Sequence, residues 1–261
     1  MRDCFVVRRS CLLSLLLVLP SGQAAIAAEG DDVRLVPTGT MQLSATSADL
    51  VGEQAASGND NVLPSDVPIE WQVYVPQGYR PERPSGVLVF VSSINWGGVP
   101  DHWQQVMESH NLIWISANGD GDGAPLQRQM LKAILAPRVV DKDYAIDMER
   151  IYVAGYSGGG GVAMMTEVTK PELFMGAIYI AGVTPWNMDP SWVDLISGNR
   201  HVFIMGGDDR GAKIIKRVYD AYRKAGIENV LLIKVPTSRR KLPEARRLVQ
   251  AIDYLDSRGE Q

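Results

Sequence analysis

Residues Gly155-Tyr156-Ser157-Gly158-Gly159 are the stretch of this chain whose residue types and spacing could do chemistry. A serine with glycines two positions before and after it can be held on a turn so tight that its hydroxyl stands clear of the backbone. Before it run the strand formers Ile151-Tyr152-Val153-Ala154; after it the small residues Gly160, Gly161, Val162 and Ala163 open a helix. In that order the pattern presents a nucleophile. Ser157 would attack an acyl carbon, and the backbone N–H of Gly158, at the helix N-terminus, would face the developing oxyanion. An ordinary glycine-rich turn would have no such role. The strand before and the helix after favour the elbow.

The elements that must position Ser157 can be read on either side of it. Ile69–Val75 alternates Ile69, Trp71, Val73 and Val75 with other residues, the period of a half-buried strand. Val87–Val91 is a continuous apolar run, Asp101–His110 a short helix, Leu112–Ser116 a strand, and about Leu126–Val140 a helix. Beyond the elbow come strands at Ala177–Ile180, Val202–Met205 and Val230–Val235. Ala212–Ala225 gathers Ile214, Val218, Ala221 and Tyr222 on one helical face, and Pro243–Leu255 does so with Leu248, Ile252 and Leu255. Strands and helices alternating at this spacing predict an α/β fold, a mostly parallel sheet with helices on both faces.

Residues 1–27 read as a signal peptide. Arg2, Arg8 and Arg9 precede the apolar run Leu12–Leu19, which ends at Pro20, too short for a membrane span, and Ala25-Ile26-Ala27 supplies small residues for cleavage. The expected protein is exported, periplasmic or extracellular, and starts at about Ala28; the arginine pair leaves general secretion, which fits better, or a twin-arginine route. Cys4 and Cys11 both lie in the removed segment, so no disulfide or thiol chemistry is expected. The remainder carries 23 basic and 29 acidic residues, a net of −6, which gives no general attraction for nucleic acid or anionic lipid. Residues 28–66, poor in aromatics, read as linker with a possible edge strand at Val33–Leu43, and residues 67–261 as the domain.

From about Trp71 to Asp256 the chain resembles the small secreted α/β-hydrolases that include polyhydroxybutyrate-depolymerase-like and feruloyl-esterase-like enzymes. The resemblance rests on Tyr74-Val75-Pro76-Gln77-Gly78-Tyr79, Asn111-Leu112-Ile113-Trp114 and Tyr144-Ala145-Ile146-Asp147. It rests also on Arg150 to Gly155 with the elbow, Pro171-Glu172-Leu173-Phe174, and Val235-Pro236 followed by Leu242-Pro243. It implies an α/β-hydrolase fold and, for intact members, ester hydrolysis by serine, aspartate and histidine in that chain order. The family pattern places the acid on Asp209, with Asp208 as the fallback, and a second oxyanion N–H near Ser93. It places Arg240 where the histidine should stand. Arginine stays protonated and cannot take the serine proton; it could pair with Asp209. The loop glycines are replaced by Thr237 and Arg239.

Three histidines remain to be weighed. His201 begins a strand, at the sheet end opposite the elbow, and His110 ends a helix. His102 follows a strand on the correct rim and is the alternative base, although an exposed place in a helix's first turn accounts for it more simply. Trp96, Trp103 and Trp186, with Trp192 nearby, would line a substrate cleft, or pack against the core. The run Asn118-Gly119-Asp120-Gly121-Asp122-Gly123 mimics the start of a calcium loop, but its twelfth position is Gln129. No metal or cofactor is expected. Arg239, Arg240, Lys241, Arg246 and Arg247 form a basic cluster, a solvated helix face or an anion site. Three functional readings follow. One is a degenerate esterase, with a small-molecule or polymeric ester as ancestral substrate. The second is an active esterase using His102 or a rearranged base, and the third a non-catalytic ligand- or partner-binding module whose protein partner is unknown.

Overall fold

The computed structural model describes residues 36–185, 190–206, 210–236 and 241–257. The chain runs β1 (Gly39–Ala45), α1 (Ser47–Val51), α2 (Glu53–Ser57), β2 (Ile69–Val75), β3 (Ser85–Val91), α3 (Asp101–His110), β4 (Leu112–Ala117) and α4 (Leu126–Asp141). It continues with β5 (Ile146–Tyr156), α5 (Gly158–Thr169), β6 (Gly176–Ile180), α6 (Pro190–Ile196), β7 (Arg200–Gly206), α7 (Arg210–Lys224), β8 (Val230–Val235) and α8 (Ala245–Asp256). Among the described residues the eight strands form one sheet in the order β1-β2-β4-β3-β5-β6-β7-β8. β1 and β2 are antiparallel to their neighbours and every later pairing is parallel.

Side-chain alternation sends each strand's residues to two cores. Val87, Val89, Val91, Ile151 and Val153 pack on one face, under α4, α5 and α7. Leu88, Phe90, Tyr152 and Ala154 pack on the other, under α3 and α8. Because both faces are covered, the parallel strands are continuous apolar runs, as the parallel-sheet rule requires. The carboxyl ends of β3, β4, β5, β6 and β7 therefore share one rim, and Ser157 follows β5 on it.

Within the stretch 28–66 the possible edge strand expected at Val33–Leu43 is β1, which runs Gly39–Ala45 at the sheet edge, and α1 and α2 stand where linker was expected. β1 pairs with β2 along its whole length, from Gly39 opposite Val75 to Ala45 opposite Ile69. Thr46 then caps α1: its hydroxyl accepts from the Asp49 N–H while Asp49 bonds back to the Thr46 N–H. Low aromatic content hid α1, which a capping box holds. Among the described residues no helix is long and apolar enough to cross a membrane. The expected signal peptide at 1–27 lies outside the described residues.

Candidate active site

Ser157 adopts φ 55°, ψ −120°, a conformation that L-residues rarely hold. Such strain costs on the order of 1–3 kcal/mol and persists only where the surroundings enforce it. Here they do. The Ser157 N–H donates to the Ile180 carbonyl at 2.8 Å, and the Ser157 carbonyl accepts from the Gly160 N–H at 3.0 Å. The glycines explain how the pieces come so close. A Cβ on Gly155 would lie 2.1 Å from the Gly159 oxygen, and one on Gly182, after β6, would lie 1.8 Å from the Ser157 oxygen. The half-exposed side chain thus sits on the rim, with the first turn of α5 directly behind it.

Two rim loops face the elbow, and hydrogen bonds tie them together. In the loop after β3, the Asn95 carbonyl and side-chain oxygen accept from the N–H groups of Gly119 (3.1 Å) and Gly121 (2.9 Å). The Ser93 carbonyl accepts from the Asp122 N–H at 2.9 Å. The loop after β4 is anchored beneath by Asp120, whose carboxylate meets Arg128 Nε at 3.0 Å and Lys132 Nζ at 2.5 Å. Asp120 and Lys132 are both buried. The residues that imitate a calcium loop therefore serve as a strap. Asn118 Oδ1 accepts from the Gly97 N–H at 3.0 Å, Asp120 holds two cations, and Asp122 reaches the elbow. A Cβ on Gly158 would lie 2.2 Å from Asp122 Oδ1, so that carboxylate rests on the residue expected to supply the oxyanion N–H. Sequence reasoning missed Asp122. Its place between Gly121 and Gly123 at the carboxyl end of a strand was the available signal.

Between the β3 loop and the start of α8 opens a cleft of about 470 Å³, within the range of about 300–1,000 Å³ usual for small-molecule sites. Its wall brings together Ser93, Trp96, His102, Tyr156 and Lys241. Trp96 is 57 % exposed, beside the exposed Ile94. Burial pushes the Tyr156 phenol above its ordinary range, which keeps it neutral. Of the two places open to it, Trp103 takes the core. It is fully buried between Phe90 and Trp114, its ring centroid 5.8 and 5.9 Å from theirs, and its indole N–H donates to the Pro243 carbonyl. The stripe Trp103, Val106, Met107 is the apolar face of α3 and turns toward the sheet. Trp192 is half-buried against the other core. Trp186, Asp208, Asp209, Arg239 and Arg240 lie outside the described residues. The basic cluster divides: Lys241 lines the cleft, whereas Arg246 pairs with Glu244 and Arg247 bonds Gln250.

All three histidines are described, and none is hydrogen-bonded to Ser157. His110 closes α3 at the far end of the sheet. Its Nδ1 donates to the Val106 carbonyl at 2.9 Å and its Nε2 faces the Asp253 carboxylate at 3.1 Å. His201 is fully buried at the start of β7, also at the far end. Its Nε2 donates to the Ile196 carbonyl, so Nδ1 accepts from the Tyr179 hydroxyl at 3.1 Å. Burial pushes His201 down to about 4. It also pushes the neighbouring Glu167 up to about 8, with Asn199's amide opposing the shift. His102 alone is at the cleft. Its Nε2 lies 3.2 Å from the Pro243 carbonyl; a carbonyl only accepts, so Nε2 carries the proton and Nδ1 is left able to receive one.

A family model described as the prolyl oligopeptidase family matches residues 127–232. The poly(3-hydroxybutyrate) depolymerase of Ralstonia pickettii is 29% identical over 102 residues, covering 36% of this chain and 21% of that protein. The matched stretch therefore spans about a fifth of the relative's length. Among solved structures, a thermostable esterase superposes with TM-score 0.58 at 17% identity, covering 82% of this chain and 60% of its own. The feruloyl esterase module from Clostridium thermocellum superposes with TM-score 0.61 at 12% identity, covering 87% and 91%. At such identities the superpositions speak for the fold.

Proposed function

We propose that this chain, which has an α/β-hydrolase fold, is an exported esterase-like protein that keeps an ester-binding cleft beside Ser157 and has weak or no ester hydrolysis. The observation that supports this best is the histidine inventory. Two of the three rings are committed to bonds at the sheet end opposite Ser157, and the third donates to Pro243. With Arg240 where the resemblance expects a histidine, no imidazole is hydrogen-bonded to Ser157 to take its proton. The nucleophile stays a plain alcohol, Asp209 is the acid left without its partner, and Gly158 and Ser93 are the oxyanion donors.

The fitting ligand is an ester, small or polymeric. Trp96 and Ile94 offer apolar surface at the cleft mouth, and the likeness to a poly(3-hydroxybutyrate) depolymerase favours a polyester. Export rests on the residue pattern of 1–27.

A second reading is an active esterase whose base is His102, favoured by its place on the cleft wall with Nδ1 able to accept. Labelling by a fluorophosphonate and turnover of p-nitrophenyl butyrate separate the two. The proposal expects slow labelling that disappears in Ser157→Ala and turnover unaffected by His102→Ala. Turnover at the rate of an ordinary esterase, with a steep fall in His102→Ala, establishes the second reading instead.

A further inference from the structure

Among the described residues the sheet has two outer strands, β1 and β8, and their edges differ. β8 carries the exposed Lys234 and is followed at once by Pro236, and both features keep a strand edge from pairing with another chain. β1 has neither. From Gly39 to Ala45 it holds no charged residue and no proline. Its seven residues pair with β2 one for one, without a bulge to twist the edge away. Among the described residues no hydrogen bond from any segment besides β2 reaches the main chain of Gly39–Ala45. Alternate N–H and C=O groups of β1 thus face outward along roughly 23 Å, seven residues at about 3.3 Å each.

The side chains of β1 say what fits this edge, because their order reads nearly the same in both directions about Gln42. Gly39 and Ala45 are small, Thr40 and Ser44 carry hydroxyls, and Met41 and Leu43 are apolar. Burial has the same symmetry. Thr40, Gln42 and Ser44 are exposed, whereas Met41 and Leu43 are half-buried against the first core on the other face. Gln42 Oε1 accepts from the Gln72 amide at 3.0 Å, and the Gln42 amide nitrogen has no partner among the described residues.

We propose that β1 is a self-pairing edge, on which a second copy of this chain lays its own β1 antiparallel across a two-fold axis at Gln42. In that register Gln42 faces the partner's Gln42, Thr40 faces the partner's Ser44 and Met41 faces the partner's Leu43. A two-fold contact needs a surface complementary to itself. Here amide meets amide, hydroxyl meets hydroxyl and apolar meets apolar, and no charge meets its like. The open Gln42 amide can donate to the partner's Gln42, and the paired main chains exchange about six to eight hydrogen bonds. The strip is narrower than the surface that stable complexes bury, so the pair is weak and forms with concentration. The partner's strands run the opposite way, which points its Ser157 rim to the opposite end. The two clefts are not shared, and the pairing does not depend on whether Ser157 is active.

The test is sedimentation equilibrium of the full chain over a range of concentrations. A monomer–dimer equilibrium is expected, with a Kd on the order of 10 μM. Gln42→Lys sets two like charges opposite each other on the axis and should weaken the dimer about tenfold or more. Gln42→Glu should do the same. Mixing the two variants should restore the dimer as a heterodimer, because opposite charges then meet at that place, and the rescue shows that both variants fold. Lys234→Glu, on the other edge, should leave the equilibrium unchanged. A chain that stays monomeric up to about 500 μM overturns the proposal, whether other residues of the chain cover the edge or a different partner takes it. A dimer insensitive to both Gln42 variants, one that mixing does not restore, or one that Lys234→Glu dissociates overturns it too.

Discussion

The Asp122 carboxylate rests against Gly158, the first residue of α5, with Oδ1 2.2 Å from the point where a Cβ would stand. A carboxylate there suits the helix, whose N-terminus carries partial positive charge. It does not suit acyl transfer, which would bring a second negative charge to the same end of the helix. The two demands conflict at one place, and the resident charge favours the resting fold.

Asp122→Asn separates them. The neutral amide keeps the size of the side chain and can donate a hydrogen bond, so Ser157 labelling by a fluorophosphonate should speed up by about tenfold or more. One oxyanion donor is worth roughly 10²–10³ in an intact enzyme. Stability should fall by about 0.3–1 kcal/mol from the lost helix–charge interaction. Urea unfolding and labelling rate measure the two effects on the same sample, and a variant that labels no faster counts against the conflict.

Arg240→His, paired with Arg239→Gly, should raise both p-nitrophenyl ester turnover and Ser157 labelling. The change restores a proton acceptor to a strained serine that the fold already holds. Asp209→Ala should matter little in the natural chain and abolish the gain in the revertant, since triad members act as a unit. A folded revertant without Ser157-dependent activity points to the binding-module reading.

Glu167 gives the protein a pH dependence remote from the cleft. Burial raises it to about 8 in the folded state, against about 4.3 in an unfolded chain. Between those values the native state holds a proton that the unfolded state has released, so its contribution to stability declines as pH rises through the window. His201, pushed down to about 4, acts below about 6.5, where the unfolded chain takes up a proton first and stability declines as pH falls. Glu167→Gln removes the first effect. Its Tm should match the natural protein's near pH 5 and exceed it by at least about 3 °C at pH 8. Equal melting curves at both pH values would show that Glu167 does not hold that proton.

Asp120→Ala leaves the buried Lys132 ammonium without its carboxylate. Breaking one side of a buried pair costs about 3–5 kcal/mol, to be read from urea unfolding. The amides of Gly119, Gly121 and Asp122 should also lose hydrogen-exchange protection, because Asp120 anchors the loop that carries them. Protection unchanged at those three amides would separate the ion pair from the strap.

The parallel strands and the elbow were legible in the sequence because both are local. An apolar run such as Val87–Val91 has one comfortable place in an α/β protein, and Gly155, Ser157 and Gly159 dictate their own turn. What escaped was set by contacts across the chain. Trp103 and Trp96 stand seven residues apart and look alike as sequence, yet one lies on the buried stripe of α3 and the other on an exposed loop. α1 and α2 lie in the stretch read as linker, and what holds them, a capping box and packing against α4, no composition reveals. Asp122 was read through its neighbours as a mimic of a metal loop, because its contact with Gly158 comes from 36 positions further along the chain.

The elbow's shape is enforced from outside the serine side chain, by Ile180, Gly160 and the bare backbone of Gly182. Reactivity and architecture are thereby inherited separately. Substitutions at a distant base position can accumulate while the turn, the rim and the cleft pass intact to descendants. A lineage can thus exchange turnover for recognition without rebuilding the molecule, and a serine in this setting records ancestry as much as present use.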